Sequence, residues 1–133
     1  MSTTTTRQSP SAKIEITLAG EKKSLFMSFG LLNELCRGIG DAQGALQVTA
    51  NSQLRDFVLM VVLSDRDEEG NVVKPINVNR IEMSIDDGER LLDWVSQHAT
   101  DFFVRTMERI VTGHKDKESR LKALKELAEN PAS

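Results

Sequence analysis

The residues of this chain that could do chemistry are few, and the densest group is Asp65-Arg66-Asp67-Glu68-Glu69-Gly70. Its D-x-D-x-x-G opening imitates an EF-hand loop, in which alternate carboxylates and a glycine turn wrap a calcium ion. Counted from Asp65, such a loop needs a bidentate glutamate at its twelfth position, which here is Ile76, preceded by Pro75. The stretch therefore reads as a solvated acidic turn. His98 and Asp101 can share a helix face and touch a metal, but the sequence pairs no further ligands with them. Neither His98 nor His114 belongs to a serine or cysteine nucleophile signature. Cys36 stands at core spacing with Leu32 and Ile39, where a small buried hydrophobe is expected rather than a reactive thiol. Gly38, Gly40 and Gly44 match neither the dinucleotide fingerprint nor a phosphate-binding loop. Asp86 and Asp87 could do acid–base work, yet a helix N-terminus attracts carboxylates by itself. No catalytic residue, cofactor or metal is expected, and an enzyme is not.

The elements that would position these residues follow from the pattern of apolar positions. Residues 51–64, NSQLRDFVLMVVLS, place Leu54, Phe57, Val58, Val61 and Val62 on one face of a helix, and Leu59, Met60 and Leu63 make the other side apolar too. A helix apolar nearly all round is a buried one, so this is the predicted centre of the fold. Asn51 or Ser52 supplies its cap. The unbroken valine-rich run 57–63 also fits a buried strand; the spacing back to Leu54 and the cap favour helix.

Ahead of it, residues 1–12 hold four consecutive threonines and almost nothing apolar, and read as a disordered tail. Residues 13–18 alternate Ile14, Ile16 and Leu18 with Lys13, Glu15 and Thr17, a half-buried strand. After the turn Ala19-Gly20-Glu21, residues 22–27 return as its hairpin partner. Ser28 can cap a helix with Leu31, Leu32, Leu35, Cys36 and Ile39 inside, ended by Gly38 and Gly40. Residues 41–50 read as a loop with one short turn.

Beyond the central helix, the β-prone pieces 71–73 and 76–83, parted by Pro75, predict a second small hairpin or an extended arm. Ser84 can cap a helix with Leu91, Leu92 and Val95 inside and Trp94 at its margin. Thr100 or Asp101 can open a further helix through Phe103, Met107, Ile110 and Val111, or the two run on as one. Gly113 closes this region, and residues 115–130 form a separate, very polar helix with its Glu118–Lys122 pair in the favourable order. Its narrow stripe of Leu121, Leu124 and Leu127 gains little by docking on its own domain and could meet another protein. The expected fold is α+β and mostly α-helical: an N-terminal β-hairpin, a small helical bundle, and a second short hairpin or arm. Residues 1–12 are tail, 13–112 one domain, and 113–133 the polar helix and its end.

With 133 residues, 28% charged, 39% hydrophobic and a formal charge of −3, the chain has the composition of a single soluble domain. Nothing in that balance invites a polyanion, so nucleic acid is an improbable partner. The longest apolar run is far short of the ~20 residues that cross a bilayer, and MSTTTTRQSP has no signal-peptide core. A lone cysteine fits a reducing compartment, and a cytoplasmic protein is expected.

The hairpin that flows into Ser28-Phe29-Gly30-Leu31-Leu32-Asn33-Glu34-Leu35 resembles the tail assembly chaperones of long-tailed, non-contractile, lambda-like bacteriophages. In that family a short strand pair leads into a helix reading roughly [S/T]-F-G-x-L-x-E-L, and every one of those positions is matched. The likeness extends, more weakly, to about residue 112. It implies Phe29 as an anchor of the helix start, Gly30 as a close-packing position, and Leu31, Leu32 and Leu35 as core. It further implies a protein absent from the mature virion that coats the tape-measure protein, keeps it soluble and helps tail-tube protein polymerise around it. Family members are commonly made in two forms, the longer by ribosomal frameshifting. Several copies would hold a long helical client by many modest apolar contacts, so a homo-oligomer in the cytoplasm of the infected host is expected. A small regulator that binds nucleic acid is the alternative; its binding would weaken steeply with salt.

Overall fold

In the computed structural model the described residues are 10–129, with the side chains of 114, 115 and 127–129 outside the description. The fold is α+β and mostly helical, as the patterning predicts. Strands β1 (Lys13–Leu18) and β2 (Glu21–Phe26) pair antiparallel from Lys13↔Phe26 to Leu18↔Glu21. Their two-residue turn has both centres left-handed, Ala19 at φ 52° and Gly20 at φ 80°, the form whose twist matches that of the strands. Helices α1 (Phe29–Ile39), α2 (Ala42–Leu46) and α3 (Ser52–Leu63) follow, each opened by a side chain that accepts from the free N–H groups of its first turn. Ser28 Oγ accepts from Leu31 N, Asp41 Oδ1 from Gly44 N, and Asn51 Oδ1 from both Gln53 N and Leu54 N.

The central segment is thus a helix, and Val58, Val61, Val62 and Leu63 are its buried residues. With Leu35, Val48, Leu91 and Val95 they form the core, which the hairpin covers through Ile16 and Leu18. Gly38 permits the closest approach: a Cβ there would overlap the ring of Phe57, so α1 and α3 meet across a bare Cα. It lies within α1, and only Gly40, at φ 96°, ends that helix.

Several expectations are corrected. The short turn expected within residues 41–50 is α2, but the segment is part of the core: Ala45 in α2 and Val48 after it are fully buried, and Ser96 Oγ donates to Ala45 O at 2.7 Å. The second hairpin exists, but Val72–Lys74 (β4) pairs with Asp65–Arg66 (β3), while 76–83 carries only a 3₁₀ turn at Val78–Arg80. Pro75, lacking an N–H, stands where the pairing stops. The tail call on residues 1–12 falls mostly outside the described residues, and its last part is anchored. Ser11 O accepts from Trp94 Nε1 at 2.7 Å, and Ala12 O accepts from Met27 N at 2.8 Å. That hydrogen bond draws Trp94 off the margin into the core, where it is 6% exposed.

The largest correction concerns the C-terminal third. Past residue 100 the two segments run on as one helix, the second of the two readings, but Gly113 does not close it and no new helix begins at 115; α4 runs unbroken over Ile85–Glu129. Its start is the predicted one, with Ser84 Oγ accepting from Asp87 N at 3.1 Å. A mid-helix glycine costs only ~1 kcal/mol relative to alanine, which strong helix formers on both sides outweigh. At ~1.5 Å per residue, the part of α4 beyond Phe103 is roughly 40 Å long.

Candidate interaction surface

Most of the residues singled out for chemistry find structural work, and the side chain of His114 lies outside the description. Asp67 Oδ1 accepts from Glu69 N at 3.0 Å and Asn71 N at 2.9 Å, so the acidic stretch is a hairpin turn tied by its own carboxylate. Among the described residues no three of the types His, Cys, Asp and Glu gather as a metal site. His98 Nε2 lies 2.7 Å from Ser11 O, a carbonyl that can only accept, so the ring carries its proton on Nε2 and joins Trp94 in holding the chain start. Asp101 turns to Arg105, its Oδ2 3.1 Å from Nε. Cys36 is buried, and that burial pushes its thiol up to about 11, which keeps it protonated and inert at neutral pH. Asp87 accepts from Thr17 N at 2.9 Å and pairs with Arg90; the backbone hydrogen bond and the guanidinium hold its carboxyl below the usual value. It pins hairpin to helix, and Asp86 beside it is exposed.

In the motif that begins at Ser28, the structure redistributes the roles. Phe29 is 73% exposed and touches the domain only edge-on, its ring 6.3 Å from that of Phe102. Gly30 meets nothing closer than Ser28 Oγ at 4.0 Å, so the close-packing glycine is Gly38. Leu35 is fully buried, whereas Leu31 and Leu32 are half-buried. Glu34, which the sequence left without a part, takes Arg66 in a two-pronged ion pair with both N–O distances 2.9 Å. Arg66 also donates to Val61 O and Gly70 O, so one guanidinium ties α1, the end of α3 and the second hairpin together.

Among the described residues, an apolar surface on α4 is left uncovered. Leu121 and Leu124 are 66% and 62% exposed on the free end of α4, and the side chain of Leu127 lies outside the description. The surface is larger than this stripe, because Met107, Ile110 and Val111, which recur at helical spacing, are exposed as well. Their shared spacing with Leu121 and Leu124 was the available signal; reading a break at Gly113 hid it. At its inner end the surface meets a groove of about 420 Å³ between α2 and α4, lined by Pro10, Leu46, Ser96, Thr100, Asp101 and Val104. Thr100 Oγ1 and Asp101 Oδ1 are buried there without a hydrogen-bond partner among the described residues. No described helix is long and apolar enough to cross a membrane, so this exposed face is not a spanning segment. No family model, no curated protein and no solved structure matches the chain.

Proposed function

We propose that the chain is a tail assembly chaperone of a long-tailed, non-contractile bacteriophage, which binds the tape-measure protein in the cytoplasm of the infected host and promotes tail-tube assembly around it. The observation that carries this reading is the free half of α4, a projecting helix with Met107, Ile110, Leu121 and Leu124 all more than 60% exposed. A long helical client is held by such a face, helix against helix, through apolar anchors one turn apart. Many modest contacts repeated over several copies give avidity without a pocket, and they let the client go when the tube closes around it. Charges on that half are mixed, Arg109, Lys117, Arg120, Lys122 and Lys125 against Glu108, Asp116, Glu118 and Glu126, which favours a protein client over a polyanion.

Co-expression with the tape-measure protein encoded beside this chain tests the reading. The client should stay soluble and co-purify with the native chain. With Leu121, Leu124 and Leu127 all changed to Ser, the domain should fold as before and client recovery should drop at least tenfold. A client equally insoluble with and without the chain sinks the proposal.

A further inference from the structure

Four exposed apolar residues of the outer half of α4 lie on one side of the helix in line with half-buried Phe103, and Val111 flanks them. Phe103, Met107, Ile110, Leu121 and Leu124 occupy one alternating series of three- and four-residue steps, in which the two intervening positions are His114 and Lys117. That is the seam of a coiled coil, continuous over three heptads and interrupted by two polar residues near its middle. From the chain's own residues we infer that this seam is a two-fold interface on which a second copy lies antiparallel, centred between residues 115 and 116. The inference concerns the chain without client: the chaperone reading uses the same exposed residues, so a client would displace the second copy, and the mass of the free chain tests the pair separately from client binding.

The direction follows from what meets across the seam. In a parallel pair each Lys117 faces its own copy, and Arg120 flanks the partner's Lys125, so like charges oppose at two levels. In the antiparallel pair Met107 packs on the partner's Leu124 and Ile110 on the partner's Leu121, matching the four exposed residues to one another. Lys117 then faces the partner's His114 position and no longer its own. The flanks are complementary in the same sense. Val104, Thr106, Val111 and Gly113 border the seam on the domain side, and the charged flanks Glu118, Arg120 and Lys125 border its outer half. Reversal sets each charged flank against the partner's uncharged one, where a lysine or arginine stem can lie on valine with its head in water.

The groove between α2 and α4 supplies a second, independent fit. Ser96, Thr100 and Val104 continue the same side of α4 into the domain, with Leu46, 70% exposed, as the opposite wall. In the antiparallel pair the partner's helix end arrives at this groove, and the partner's Lys125 comes alongside Val104, one turn from Asp101. Met107, Ile110, Leu121 and Leu124 are thus all covered by one occupant.

Sedimentation equilibrium of the full chain, without client, should give twice the 14.8 kDa mass of one copy. Leu121→Ser with Leu124→Ser should return it to 14.8 kDa with the thermal midpoint of the domain retained, since both residues are exposed. Orientation is read by disulfide trapping, in which buried Cys36 takes no part. An equimolar mixture of Ile110→Cys and Leu121→Cys chains should cross-link into mixed dimers, and neither variant alone should do so. A native chain that is monomeric at every concentration, or a mass above the dimer, overturns the interface. Efficient cross-linking of Leu121→Cys to itself overturns the direction.

Discussion

At Gly38 and Gly113 the same substitution should have opposite effects. Alanine at Gly38 drives a methyl group into the Phe57 ring, and overpacking of that kind costs ~1–3 kcal/mol, more than the helix-propensity gain of up to ~1 kcal/mol returns. Alanine at Gly113 meets no atom within 4 Å and should stabilise α4 by up to ~1 kcal/mol. Urea unfolding for the first, and helical ellipticity on heating for the second, read the two signs. Asp87 sets an acid dependence. Its folded-state pKa is depressed by the Thr17 N–H and by Arg90, so its contribution is present above the ordinary carboxylate range and is lost as pH falls through the lower folded value. Asp87→Asn should therefore flatten the acid limb of a stability–pH profile and leave its alkaline limb unmoved.

Among the elements, the joint made by Arg66 is the one most exposed to a conservative change. Lysine carries the charge but cannot grip Glu34 with two parallel hydrogen bonds while reaching Val61 O and Gly70 O. Because Glu34 is 38% exposed, solvent screens part of the loss, and Arg66→Lys should cost about 1 kcal/mol in denaturant unfolding. The larger effect should be local, with faster amide exchange in β3 and β4, which this side chain ties to α1. Glu34 was legible in the sequence only as part of a motif. Its partner lies thirty-two residues away, and no local spacing points to it.

The whole molecule divides into a packed domain and a projecting helix. Phe102 and Phe103 are the last hydrophobic residues described as packing against the core, and Met107, Ile110, Val111, Leu121 and Leu124 beyond them are exposed. A chain stopped after residue 112 should keep the unfolding midpoint of the domain, measured at a concentration low enough to dissociate any pair, while losing helical ellipticity in proportion to the residues removed. Loss of the domain's own cooperative transition would show that the projecting half is part of the fold.

What the sequence settles about this protein is what short-range physics settles. Ser28, Asn51 and Ser84 cap helices because a hydroxyl or amide oxygen reaches an N–H two or three residues on, and β1 alternates because a strand has period two. Whether an apolar face is covered is a different question, decided by where other elements of the chain end up. Trp94 is buried because Ser11, eighty-three residues earlier, passes over it and accepts its N–H. Met107 and Ile110 carry the same kind of periodicity as Leu91 and Val95, yet they are exposed, with no described element laid on them. Periodicity makes a helix; only the packing of distant segments determines which of its apolar residues become core and which are left to meet another molecule.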